Sequence, residues 1–167
     1  MRIGLISDTH NHFDPRIASY FAACDEIWHA GDVGSFQIIE ALERIAPVKC
    51  VFGNIDGPDI RGKFPERLQF NCEGLEVYMI HIGGKPPKYA SGVLSELKKH
   101  RPKLFICGHS HILKIMPDHN LDKMLYLNPG AAGNHGFHKM KTIVRFEINR
   151  GFIKNLEVIE LGLRGKA

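Results

Sequence analysis

Leu104-Phe105-Ile106-Cys107-Gly108-His109-Ser110-His111 is a short apolar run that breaks at a glycine and delivers two histidines with one residue between them. Such a run, bounded by a turn signal, reads as a strand buried on both faces. In extended backbone, residues i and i+2 project to the same side, so His109 and His111 are expected to aim both imidazoles at one point. Neutral imidazole is the commonest metal ligand, and the pair sends the search to carboxylates elsewhere. Alone, it fits two surface histidines beside a turn equally well. What decides is whether the pattern recurs.

It does. Arg2–Ile6 is strand-like and delivers Ser7-Asp8-Thr9-His10, a carboxylate and an imidazole at the same spacing. Glu26–His29 ends in Ala30-Gly31-Asp32-Val33-Gly34, and Val48–Phe52 stops at Gly53-Asn54-Ile55-Asp56-Gly57. Leu75–Ile80 ends at His81. Five strands, taken in chain order, therefore each end in a metal-capable group. The C-terminal ends of strands are where open α/β sheets build their sites.

Helices are expected between the strands. Asp14 as N-cap and Pro15 at the first helical position start one that runs to about Cys24. Ser35 caps a second, with Ile38, Ile39, Leu42 and Ile45 at helical spacing and Pro47 as its stop. A third runs from about Ala90 to His100, with Val93, Leu94 and Leu97 inward. Pro58–Pro65 and Lys85–Lys88 read as loops, and Arg67–Phe70 pairs with Leu75–Ile80 as a hairpin. Lys123–Leu127 is a later strand; Thr142–Ile148 and Phe152–Leu161 alternate as an antiparallel pair. The order is βαβαβ followed mostly by strands, an α/β class. No linker or repeat divides residues 1–167, which read as a single domain.

Composition narrows the function. The net charge is +4, and Lys98-Lys99-His100-Arg101, the one tight basic cluster, reads as a helix end. It lacks the aromatic interleaving of a base-stacking surface, so nucleic acid is expected at most as a substrate. Cys24, Cys50, Cys72 and Cys107 are widely spaced with no CxxC, which points to reduced thiols and a cytoplasmic protein. No stretch has the length of a membrane span, and Met1 runs directly into a strand. Trp28 is expected in the core, His29 as a packed histidine, and Cys107 as an inert buried thiol. His119, His135 and His138 fall in polar loops, the last two within reach of the cleft. Exposed apolar residues on the last strands make a homodimer an expectation.

The ordered set Asp8-x-His10, Gly31-Asp32, Gly53-Asn54-x-Asp56, His81 and Gly108-His109-x-His111 resembles the calcineurin-like metallophosphoesterases. In spacing, and in the late Asn128-Pro129-Gly130, it is most similar to their small bacterial and archaeal single-domain phosphodiesterase branch. The resemblance implies a calcineurin-like sandwich of two mixed β-sheets flanked by helices. It implies two divalent transition-metal ions, manganese first and iron, zinc, nickel or cobalt as alternatives. Asp32 would bridge them, with Asp8, His10 and His111 on one ion and Asn54, His81 and His109 on the other. A hydroxide between the ions would attack phosphorus in line. Asn54 would also touch a substrate oxygen, and Asp56 would orient its loop or a histidine. Ile55 departs from the pattern: many members carry there a histidine that protonates the leaving group. His12, ahead of His135 and His138, is the substitute by position. A small phosphoester, diester before monoester, is the implied substrate. The rival reading is a non-catalytic scaffold, since a eukaryotic coat-complex subunit keeps this fold with altered ligand positions.

Overall fold

The structure, a computed structural model, describes residues 1–165. Two five-stranded mixed sheets lie face to face. The first holds β1 (Arg2–Ile6), β2 (Glu26–His29), β3 (Val48–Cys50), β11 (Met140–Asn149) and β12 (Phe152–Leu163) in the order β12-β11-β1-β2-β3. The second holds β4 (Arg67–Cys72), β5 (Leu75–Ile80), β8 (Leu104–Ile106), β9 (Leu113–Asp118) and β10 (Met124–Pro129) in the order β4-β5-β8-β10-β9. A separate hairpin is made of β6 (Gly84–Lys85) and β7 (Lys88–Tyr89). The helices are α1 (Arg16–Phe21), α2 (Phe36–Glu43), α3 (Pro58–Lys63) and α4 (Val93–His100).

The apolar runs are continuous because each central strand is covered twice. Ile3 and Leu5 of β1 point between the sheets with Trp28, Val77, Met79, Leu104, Ile106 and Phe146. Ile6 turns the other way, under Ile17, Phe21, Ile38, Ile39 and Leu42 of α1 and α2. In the second sheet Tyr78, Ile80, Phe105 and Cys107 face Val93 and Leu97 of α4. Trp28 is fully buried edge-on to Phe70 and Phe146. Burying this much apolar area between layers is the dominant favourable contribution to folding.

β1, β2 and β3 run parallel, and so do β5, β8 and β10. The turns that leave β1, β2, β3, β5 and β8 carry the polar groups named above. Four local expectations change. α3 occupies the span read as loop: Gly57 sits at its N-cap, Pro58 at its first position, Asp59 in its first turn and Arg61 and Lys63 in its last. β9 is an additional strand. It is an edge strand, where the missing N–H of Pro117 is tolerated. The Lys85–Lys88 loop closes as the β6–β7 hairpin. α1 starts as expected, with Pro15 in helical conformation and Asp14 Oδ1 accepting from the Arg16 amide at 3.1 Å, but it ends at Phe21, short of Cys24.

Candidate metal centre

The centre is assembled from backbone in an unusual state. Asp8, His10, Asp32, His109 and His111 all have positive φ, between 44° and 67°. The left-handed region is uncommon for residues with a side chain and costs energy. Its effect is to turn the chain sharply after each strand, so that the polar side chain points back over the sheet edge. The extended-strand expectation for His109 and His111 therefore fails. β8 ends at Ile106, and the two rings go to different clusters.

One cluster joins Asp8, His10, Asp32 and His111, and the second joins Asp32, His81 and His109. Asp32 belongs to both. His10 Nε2 and His111 Nε2 lie 3.3 Å apart, and His111 Nε2 is 3.1 Å from Asp8 Oδ1. Asp32 Oδ2 is 3.2 Å from His81 Nε2 and 3.5 Å from His10 Nε2.

Each side chain is held from behind. His81 Nδ1 donates to the Ala30 carbonyl at 2.8 Å, which fixes the tautomer that leaves Nε2 bare toward the centre. Asp8 Oδ2 accepts from Ser7 Oγ (2.6 Å) and the His109 amide (3.2 Å), leaving Oδ1 free. Asp32 Oδ1 accepts from the Ile55 amide at 3.1 Å. Asp8 Oδ1 and His81 Nε2 are buried without a hydrogen-bond partner. Unpaired buried polar atoms are rare and costly, and these two, of opposite shape but both electron-pair donors, converge on clusters rich in nitrogen and oxygen ligands. The donor set fits divalent transition-metal ions, and the shared Asp32 fits a dinuclear site.

Charge follows the same lines. Burial pulls the His81 imidazole toward neutrality, but Asp32 and Asp8 outweigh it and its pKa ends above the ordinary value. Burial likewise opposes the Asp32 carboxylate, yet His81, the Ile55 amide and His10 hold its pKa below the usual range. For His10 burial wins over Asp32 and Asp8, and the pKa falls.

Gly53 and Gly108 are required by close approach. A Cβ on Gly53 would overlap Asp32 Oδ1, and one on Gly108 would overlap Ser7 Oγ and Asp8 Oδ2. Asp56 is buried and ties two loops together: Oδ1 accepts from the Gly34 amide (2.8 Å) and Oδ2 from the Gly53 amide (2.7 Å). Asn54 is exposed and lines one cavity with His81. Asn128 is buried; its Nδ2 donates to the Gly108 carbonyl (2.8 Å) and to Ser110 Oγ (3.1 Å), clamping the loop that carries His109. His29 is fully buried. Its Nε2 meets Thr9 Oγ1 at 3.0 Å, its Nδ1 accepts from the Gly31 amide, and burial lowers its pKa.

The ring nitrogens of His12 meet Asn134 Nδ2 and Lys141 Nζ, each at 3.3 Å. The histidine that shares a cavity with Ile55 and His10 is His135, whose ring packs 4.8 Å from that of His10. Sequence reasoning missed Arg61. From α3 its guanidinium donates to the carbonyls of Asp56, Gly53 and Asn54 and lies 4.4 Å over the Phe52 ring. The sign was an arginine in the last turn of a helix, legible only once α3 is seen.

All four cysteines are free and buried, and burial pushes the Cys107 thiol up to about 12. No helix among the described residues is long and apolar enough to cross a membrane.

Comparison with known proteins agrees with this centre. A probable metallophosphoesterase of Methanothermobacter thermautotrophicus is 34% identical over 140 residues, covering 78% of this chain and 77% of its own. A novel archaeal phosphodiesterase superposes with a TM-score of 0.74 at 23% identity, covering 96% of this chain and all of that one. Vps29 from Entamoeba histolytica, complexed with zinc, superposes with a TM-score of 0.72 at 18% identity, covering 96% of this chain and 99% of that one. The fold is thus common to proteins named as enzymes and to Vps29. The family model described as the calcineurin-like phosphoesterase superfamily domain matches residues 1–151, so the chain belongs to that superfamily and carries the metal-binding apparatus of a phosphoric ester hydrolase.

Proposed function

We propose that the chain is a phosphodiesterase of the small single-domain branch. The observation that carries this reading is that two separate cavities are each lined in part by residues of the second cluster's side of the centre. One of about 530 Å³ includes Asn54 and His81, and one of about 370 Å³ includes His109. A diester has two arms to place, a monoester only one. In this reading Asp32 would be shared by two ions, Asp8, His10 and His111 would hold one, and Asn54, His81 and His109 would hold the other. Manganese is the first choice of metal. When bound, such a pair withdraws charge from the phosphoryl oxygens and makes a water acidic enough to attack at neutral pH.

The protein side of the chemistry belongs to its own residues. Asp8 and Asp32 supply the fixed negative charge that keeps two cations together. His81 is locked by Ala30 with the correct nitrogen forward. Arg61 and Asp56 hold the Asn54 loop from both sides, which would keep its amide available to a substrate oxygen. Hydrolysis forms one P–O bond to water and breaks one P–O bond to an arm. The departing alcohol oxygen must then receive a proton. Ile55 has none to give, and both ring nitrogens of His12 already face polar partners. Diesters whose leaving group departs as a stable anion are therefore the preferred class.

The decisive experiment strips the protein of metal, restores Mn²⁺, and compares aryl diesters, alkyl diesters and monoesters on one preparation. Metal-dependent diester cleavage exceeding monoester cleavage supports the reading. Monoester preference would make the chain a phosphomonoesterase, and no turnover with either would favour a scaffold.

A further inference from the structure

The smaller of the two cavities has a charge pattern that metal binding does not explain. It lies between the β6–β7 hairpin and the loop after β8, and Lys85, Lys88 and Lys114 line it beside His109, Ser110 and Tyr126. Among the described residues no carboxylate lines it. Among the described residues, none of the three ammonium groups takes part in an ion pair. The larger cavity differs: there Arg61 and Arg67 are balanced by Glu66 and Glu96.

Two of these lysines are placed against their own interest. Lys85 and Lys88 are direct cross-strand partners in the hairpin. Like charges in that register destabilise a strand pair unless an anion lies between them. Nor is the hairpin a loose flap. Tyr126 Oη donates to the Gly84 carbonyl at 2.8 Å, Tyr89 Oη to Asp118, and the Ala90 amide to the Gly83 carbonyl at 3.0 Å. Lys114 comes from the opposite wall, half-buried on β9 and paired in register with Asn128, the residue that clamps the His109 loop. Lysine ammonium groups are compact point charges suited to phosphate. Three of them facing one cavity exceed what a single carboxylate needs and suit a dianion.

His109 belongs both to the second metal cluster and to this cavity. A group seated among the lysines is thus next to a phosphoryl group at the centre and close enough to belong to the same molecule. We infer that this cavity is a subsite for a second phosphate, so that the substrate is a phosphodiester one of whose arms carries a terminal phosphate. The inference rests on the phosphodiesterase reading for its reaction, but not for its binding.

The test uses Mn²⁺-loaded protein and separates the two. Calorimetric titration compares thymidine 3′,5′-bisphosphate with thymidine 5′-phosphate on wild type, on Lys114→Gln and on the triple variant Lys85→Gln/Lys88→Gln/Lys114→Gln. The extra phosphate is expected to tighten binding about ten-fold or more in wild type, from charge-assisted contacts. The gain should shrink in Lys114→Gln and vanish in the triple variant. Kinetics then compare thymidine 5′-(4-nitrophenyl phosphate) with and without a 3′-phosphate, and the same ratio should appear in kcat/KM. An equal gain in wild type and triple variant, or no gain in wild type, overturns the subsite. A binding gain without cleavage of either ester leaves the subsite standing and removes the phosphodiesterase reading. Cleavage of both esters at one rate in all variants does the reverse.

Discussion

Asp56→Ala should be among the most damaging single changes outside the metal clusters, and its cost can be worked from the structure. The carboxylate accepts two backbone amides, Gly34 on the turn after β2 and Gly53 on the turn after β3. Removing it orphans both donors. A buried N–H left unsatisfied costs about 1–3 kcal/mol. Gly53 is buried and accounts for about 2 kcal/mol; Gly34 is half-exposed, and water recovers all but about 1 kcal/mol of its loss. The sum is about 3 kcal/mol. In a chain of this size 1 kcal/mol lowers Tm by roughly 2–4 °C, so a fall of about 6–12 °C is expected. A second effect separates this from mere loss of packing. The two turns carry Asp32 and Asn54, so Mn²⁺ affinity of the folded variant should drop as well, by about 10-fold or more. Differential scanning calorimetry gives the first quantity and metal titration below the transition the second. Asp59→Ala, one turn away on the exposed face of α3, is the control and should stay within about 0.5 kcal/mol of wild type. A Tm loss under 2 °C with unchanged Mn²⁺ affinity would refute the role of Asp56 as the tie between the loops.

Other outcomes follow from the same geometry. Purified protein should bind about two equivalents of Mn²⁺ per chain by elemental analysis after reloading, and chelation should lower Tm without unfolding the chain at room temperature. Asp32→Asn should reduce diesterase activity more than His10→Ala or His81→Ala, because only Asp32 belongs to both clusters; the reverse order would remove the bridging assignment. Wild type should cleave aryl diesters far faster than alkyl ones, and Ile55→His should narrow that gap, general-acid help being worth roughly 10²–10⁴-fold; equal rates in wild type would mean that another group already supplies the proton. Asp14, held below the ordinary carboxylate range first by its hydrogen bond to Arg16 and also by Lys141, stabilises the folded state above the unfolded-chain pKa of 3.8 and less as pH falls beneath it. The stability difference between wild type and Asp14→Asn should therefore shrink in denaturant titrations below about pH 4.

What was legible in the sequence was what a periodic or punctuated signal encodes. Apolar runs ending at Gly31 and Gly108 located two of the strand ends, and Asp32, His109 and His111 just past them are among the residues the fold gathers. Double coverage of β5 and β8 is why those runs do not alternate. α3 was missed because a six-residue helix containing Gly62 has little propensity to set against the two prolines that bound its span, although Gly57-Pro58 is a proper start. β9 was missed because Pro117 argues against a strand and only its edge position excuses it. Arg61 depends on α3, and the lysine cavity depends on the β6–β7 register and on β9. None of these was readable before the elements that carry them.

The failure of the extended-strand expectation shows how the centre is built. Left-handed backbone at Asp8, His10, Asp32, His109 and His111 costs roughly 1–3 kcal/mol per residue, so something other than a metal must enforce it if the site forms first. Backbone hydrogen bonds between the turns do so. The Asp8 amide donates to Gly31, His10 to Asp32, Asn11 to Val33, and Gly108 to His81. The loop after β10 returns to the first turn, with the Ala132 amide donating to Ser7 and Gly133 to Asp8. Every turn that carries a ligand of the first cluster is therefore bonded to a neighbouring turn. The strain is distributed over a ring of loops anchored on two sheets, and the protein's own hydrogen bonds between those loops hold the ligand atoms together. Such a site gives up little conformational entropy on binding, which favours tight capture of two ions that repel each other.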